Sequence, residues 1–146
     1  MKKENNEINV LDELNKGACM GMDAIHFVLE KVDDSELKKE LNNQYKKYKL
    51  ITDEICDLYS EYNPTDEPHK TNTMNKMMTW YGIEMKTIKD SSTSKIAELI
   101  LKGTNMGIIE GRKLLNHNDT DKNVYHLIQE YVNMQEMAVE KLKQFL

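Results

Sequence analysis

Asp23, His26 and Glu30 stand three and four residues apart, a spacing that puts all three on one face of a helix. Carboxylate and imidazole are ligand types that zinc, iron and manganese accept. The same row also reads as an ordinary solvated helix face, and no further Cys or His converges on it at ligand spacing. These three are the candidate metal ligands; no resident cofactor is expected. His69 and His117 fall in a loop and a turn. Cys19 and Cys56 have no histidine nearby in sequence to act as base, so inert, reduced, buried thiols are expected. The glycines fall inside helical patterns. A phosphate-binding loop needs them between a strand and a helix.

The elements that would carry these residues are helices. Leu11, Leu14, Ala18, Met22, Ile25, Leu29 and Val32 recur at helical steps, predicting a helix from about residue 8 to 32. Asp34 or Ser35 can cap the next, from 35 to 62, whose stripe is Leu37, Leu41, Tyr45, Tyr48, Thr52, Ile55, Leu58 and Tyr62. Pro64 and Pro68 stop it and open a polar loop. A shorter apolar helix is expected over about 73–89, carrying Met74, Met77, Met78, Trp80, Tyr81 and Met85, with a break at 90–94. A third long helix follows to residue 116, with Ile96, Leu99, Ile100, Gly103, Met106, Ile109 and Leu114 inward. After a turn, the last runs from about 121 to 145 on Val124, Leu127, Ile128, Tyr131, Met134, Ala138, Leu142 and Phe145.

The two halves match each other. Lys16-Gly17-Ala18-Cys19-Met20-Gly21 returns as Lys102-Gly103-Thr104-Asn105-Met106-Gly107. At the same offset Val28-Leu29 meets Leu114-Leu115 and Asp34 meets Thr120. After one inserted residue, Leu37, Leu41 and Tyr45 meet Val124, Ile128 and Val132. Each half is a helical hairpin that cannot bury its face alone, which points to a duplicated unit related by a pseudo-two-fold axis. Gly17 and Gly21, and Gly103, Gly107 and Gly111, lie four apart on one face of their helices. Glycine inside a helix costs about 1 kcal/mol against alanine. Close approach of the first and third long helices is the expected compensation; space for a ligand is the alternative.

The expected architecture is therefore all-α. It is a four-helix bundle of two hairpins, 8–62 and 94–146, joined by a crossover at 63–93, in one domain covering 1–146. A crossover this long exceeds the two to eight residues usual between bundle neighbours, so it can travel the bundle's length. The net charge is −5 and Arg112 is the sole arginine, a poor match to nucleic acid. No apolar run follows the basic start and none reaches the ~18–20 residues that span a bilayer, so a cytoplasmic protein without membrane partners is expected.

Two hairpins on a long crossover, with Lys76-Met77-Met78-Thr79-Trp80 and Ile96-Ala97-Glu98 ahead of the glycine motif, resemble the ferritin-like superfamily, in particular small Gram-positive bacterial members. The resemblance implies a bundle whose diiron forms carry Glu-x-x-His on two helices. No glutamate here has histidine three residues later: Glu54 is followed by Asp57 and Glu130 by Asn133. The diiron centre does not carry over.

Three functions remain in view. The first is a non-enzymatic interaction or structural module, a homodimer through the Met74–Met85 face, since contiguous apolar patches mark interaction sites. The second is a ferritin-like metal binder with a rearranged site, linked to oxidative stress. The third is a small-molecule-binding bundle, with Tyr45, Tyr48 and Tyr131 as the expected pocket walls.

Overall fold

The computed structural model describes residues 2–68, Gly82, Glu84 and 92–146. Four long helices make up these residues: α1 (Lys2–Leu29), α2 (Ser35–Tyr62), α3 (Thr93–His117) and α4 (Lys122–Lys143), with no strand among them. The predicted 73–89 helix, with Met74, Met77, Met78, Trp80, Tyr81 and Met85, lies outside the described residues except for Gly82 and Glu84, both helical.

Local chemistry sets the helix ends. The Asp34 carboxylate accepts from the Leu37 N–H at 2.8 Å, occupying one of the donors left free at a helix start. Ser92 does the same for Lys95 at 3.3 Å, and its backbone is extended, so the chain does break before α3. At the far end of α3 the Asn118 amide donates to the Leu114 carbonyl at 3.1 Å. Asp121 precedes α4 but makes no side-chain cap; its carboxylate accepts from the Tyr62 hydroxyl at 2.7 Å instead.

α1 packs on α2 and α3 on α4. The two pairs meet through α1 against α3 and α2 against α4. Direction follows from three contacts at one end. The Asn6 amide donates to the Asp119 carbonyl at 3.1 Å. The Asp121 N–H donates to Glu7 Oε2 at 3.1 Å. Tyr62 reaches Asp121. The start of α1, the end of α2 and the α3–α4 turn therefore share one end; the four side-by-side pairs run antiparallel, and α1 and α4, which touch across the diagonal, run parallel. The chain between Tyr62 and Thr93 consequently joins opposite ends of a bundle about 40 Å long.

The core is a continuous column including Leu11, Leu14, Ile25, Leu37, Leu41, Ile55, Ile96, Ile128 and Leu142. Several expectations shift. α1 starts near Lys2, earlier than its apolar stripe, and ends at Leu29, although Val32 beyond it is buried. On α3 the buried line is Ile96, Ile100, Gly103 and Thr104, Gly107 and Gly111. Ile109, expected inward, is 54 % exposed, and Met106 and Leu114 are half-buried, because they sit to one side of that line. Cys19 is half-buried and Cys56 exposed, not the buried thiols expected.

Candidate functional site

At Gly17, Gly21, Gly107 and Gly111 the glycine faces meet side chains and not backbone. Among the described residues, a Cβ on Gly17 would meet the Tyr131 ring, with the hydroxyl at 2.6 Å. One on Gly21 would sit 2.6–2.9 Å from three carbons of the Tyr48 ring. One on Gly107 would strike the Gln135 amide, and one on Gly111 would lie 2.6 Å from a Val132 methyl. The space that glycine leaves on α1 and α3 is thus filled by side chains from α2 and α4. Gly103 is buried beside them.

These fillers form a polar centre inside the bundle. The Gln135 amide donates to the Tyr48 hydroxyl at 3.2 Å, and both residues are 2 % exposed. The Thr104 hydroxyl is within hydrogen-bonding reach of Tyr48 and gives its own proton to the Ile100 carbonyl at 2.8 Å. Gln135 from α4, Tyr48 from α2 and Thr104 from α3 thus meet at one point. Burial pushes the Tyr48 phenol above its ordinary value, against the opposing pull of Gln135 and Thr104. Tyr48 and Tyr131 meet edge to face, centroids 6.4 Å apart. A recess of about 10 Å³ remains here, walled by Gly17, Gly21, Gly103, Thr104, Tyr48 and Gln135, with Ala24, Ile25 and Ile100 completing it.

Beside this centre lies a cavity of about 440 Å³ between α1 and α3, floored by Tyr131 from α4. Its apolar walls are Leu14 and Met20 on α1 and Met106, Ile109 and Leu114 on α3, with Gly17, Gly107 and Gly111 also on its lining. Met106, Ile109 and Leu114 are thus apolar because they line a cavity, which the stripe pattern could not separate from core. Glu13, Lys16 and Glu110 complete the wall, and Lys16 is paired with Glu13 at 3.3 Å. Of the tyrosines expected as pocket walls, Tyr131 is in the cavity and Tyr48 in the recess; Tyr45 is in neither and is half-buried.

The other candidates sit elsewhere. Asp23 and His26 are exposed on the outer face of α1, and Glu30 is exposed in the turn just after it. Among the described residues no group of three or more His, Cys, Asp or Glu is placed to hold a metal ion. The exposed Cys56 thiol is pushed up by partial desolvation and by Asp53 and Glu67, so it stays protonated and weakly nucleophilic at neutral pH. No helix among the described residues is long and apolar enough to cross a membrane.

One acidic pair does show perturbed chemistry. Glu54 on α2 and Glu130 on α4 are hydrogen-bonded across the helices, and the Glu54 carboxyl is raised above the ordinary range by desolvation, by Glu130 and by Asp57. A raised carboxyl pKa means the folded state holds its proton more tightly. The repulsion is present in full above the raised value and is relieved as pH falls through it toward about 4.5. Glu130→Gln is expected to raise stability at pH 7 by less than about 1 kcal/mol, since both groups are largely solvated. The gain should vanish in melts at pH 4; an equal gain at both pH values would dissociate it from the pair.

Gln44, Gln135, Thr104 and Tyr59 were not expected inside. The first two interrupt apolar stripes at in-face spacing, Leu41-x-x-Gln44-x-x-x-Tyr48 and Tyr131-x-x-x-Gln135-x-x-Ala138, and that spacing is the signal that could have found them. No family model, curated protein or solved structure matches this chain.

Proposed function

We propose that this chain is a ferritin-like bundle, built from a duplicated hairpin, that binds a small, largely apolar molecule between α1 and α3. The observation that carries this reading is the 440 Å³ cavity, which falls within the ~300–1,000 Å³ of small-molecule sites and has the expected apolar wall with a tyrosine at its floor. The duplication draws support from the centre. Tyr48 and Gln135, which pack on Gly21 and Gly107, are separated by the same offset as Leu41 and Ile128. Diiron bundles aim carboxylates and histidines inward from facing helices; here the centre holds Tyr48, Thr104 and Gln135, while the buried Glu7 and Asp12 stand nearer the start of α1, so the centre suits a neutral organic guest.

A panel of neutral apolar probes, aliphatic and aromatic, tests this. A molecule that binds the folded state alone adds about 2.7 kcal/mol of stability at one hundred times its Kd. A dose-dependent rise in Tm is expected for the wild type. It should be lost in Met106→Trp, where a half-buried wall residue grows into the cavity. Melting curves that no probe moves would overturn the reading.

A further inference from the structure

The recess at the bundle centre and the cavity are neighbours. Gly17 borders both, and Gly107, which borders the cavity, packs on the Gln135 amide that borders the recess. The recess contains an unmet demand. Gln135 is 2 % exposed and its Nε2 is engaged by Tyr48, yet its Oε1 is buried with no hydrogen-bond partner among protein atoms. A buried amide oxygen left unpaired costs about 1–3 kcal/mol. The other polar atoms of the recess are committed: the Thr104 proton goes to Ile100, and the Tyr48 oxygen accepts from Gln135. The recess therefore calls for a donor.

Resting on the cavity reading, we propose that the ligand is a neutral alcohol whose hydrocarbon body occupies the cavity and whose hydroxyl passes Gly17 to donate to Gln135 Oε1. The size of the recess sets the group. About 10 Å³ is room for one water-sized atom, a hydroxyl, and a primary amide is too large. Charge excludes the other common head groups. No cation stands in the recess wall to hold a carboxylate, and Lys16 of the cavity wall is already paired with Glu13. No carboxylate stands there to hold an ammonium; Glu13 and Glu110 have side chains 59 % and 65 % exposed. Burying either charge unpaired is prohibitive. Gly17 borders both spaces, and the Tyr131 hydroxyl packed on it stands beside the route.

The test is a calorimetric titration of the full chain with 1-heptanol, 1-methoxyhexane and heptanoate. The first two have the same number of heavy atoms and differ in the donor. The alcohol is expected to bind about five- to tenfold more tightly than the ether, as one satisfied hydrogen bond predicts, and heptanoate most weakly. In Gln135→Met the alcohol and ether should become equal. Equal binding of alcohol and ether to the wild type overturns the hydroxyl assignment and leaves the cavity reading intact. Tighter heptanoate, or a preference that survives Gln135→Met, overturns it as well. Failure of these and of every probe in the wider panel removes the cavity reading itself. The comparison on the wild type needs no variant, so it decides even if Gln135→Met does not fold.

Discussion

Gly21→Leu is expected to lower stability by about 3 kcal/mol, a fall in Tm of roughly 6–12 °C for a chain of this size. A single added carbon at this position already lies 2.6 Å from the Tyr48 ring, well inside contact distance. The ring is fully buried, hydrogen-bonded to Gln135 and flanked by Tyr131, so it has nowhere to swing. Even Gly21→Ala is expected to be destabilising, although alanine is the better helix former by about 1 kcal/mol. The clash outweighs the propensity gain. Thermal and urea denaturation measure both, and an alanine variant more stable than the wild type would mean that the ring does not rest on this glycine.

Tyr48→Phe is expected to cost about 1–3 kcal/mol while leaving the core volume unchanged. The loss has little to do with apolar contact. It strands the Gln135 Nε2 donor in the interior. If that is the cause, Tyr48→Phe with Gln135→Met should cost less than the two single changes together, with a coupling of about 1–2 kcal/mol in a double-mutant cycle. Additive effects would show that the hydrogen bond carries no energy. The phenol also makes a pH signature. Its folded pKa is raised, so its contribution is whole below pH 10 and is lost as pH climbs above that value. The phenylalanine variant should lose this part of the alkaline slope, while Tyr59 and Tyr62, whose values are also raised, keep theirs.

The helices and turns were legible because they depend on local chemistry. The apolar periodicity, the Asp34 cap and the proline stop after Tyr62 are written in short stretches of chain, and α2 runs over the expected residues. On α3 the inward face was legible through Ile96, Leu99, Ile100 and Gly103, but not over its second half. Met106 and Ile109 are as apolar as Ile100, and only the partners on α4 decide that Gly107 and Gly111 are buried while Ile109 is exposed. The glycine spacing announced that something large comes close, but not its source. Close approach of α1 and α3 was the simple expectation; the fillers are Tyr48, Tyr131, Val132 and Gln135, from the other two helices. Polar residues in the interior escape a hydrophobic pattern by definition. Gln44 and Gln135 read as solvent-facing until their spacing within the stripe is weighed.

The staple at one end of the bundle has a consequence for biosynthesis. Glu7 and Asp121 are 114 positions apart, and Tyr48 and Gln135 are 87 apart. A ribosome adding about 5–20 residues per second needs on the order of ten seconds between making Tyr48 and making the partner that satisfies it. For that interval the nascent first hairpin presents its unfinished inner side to the surroundings. Chaperone capture or a companion chain would compete there with the proper mate, and a truncated product ending before α4 should be found bound to such helpers or degraded.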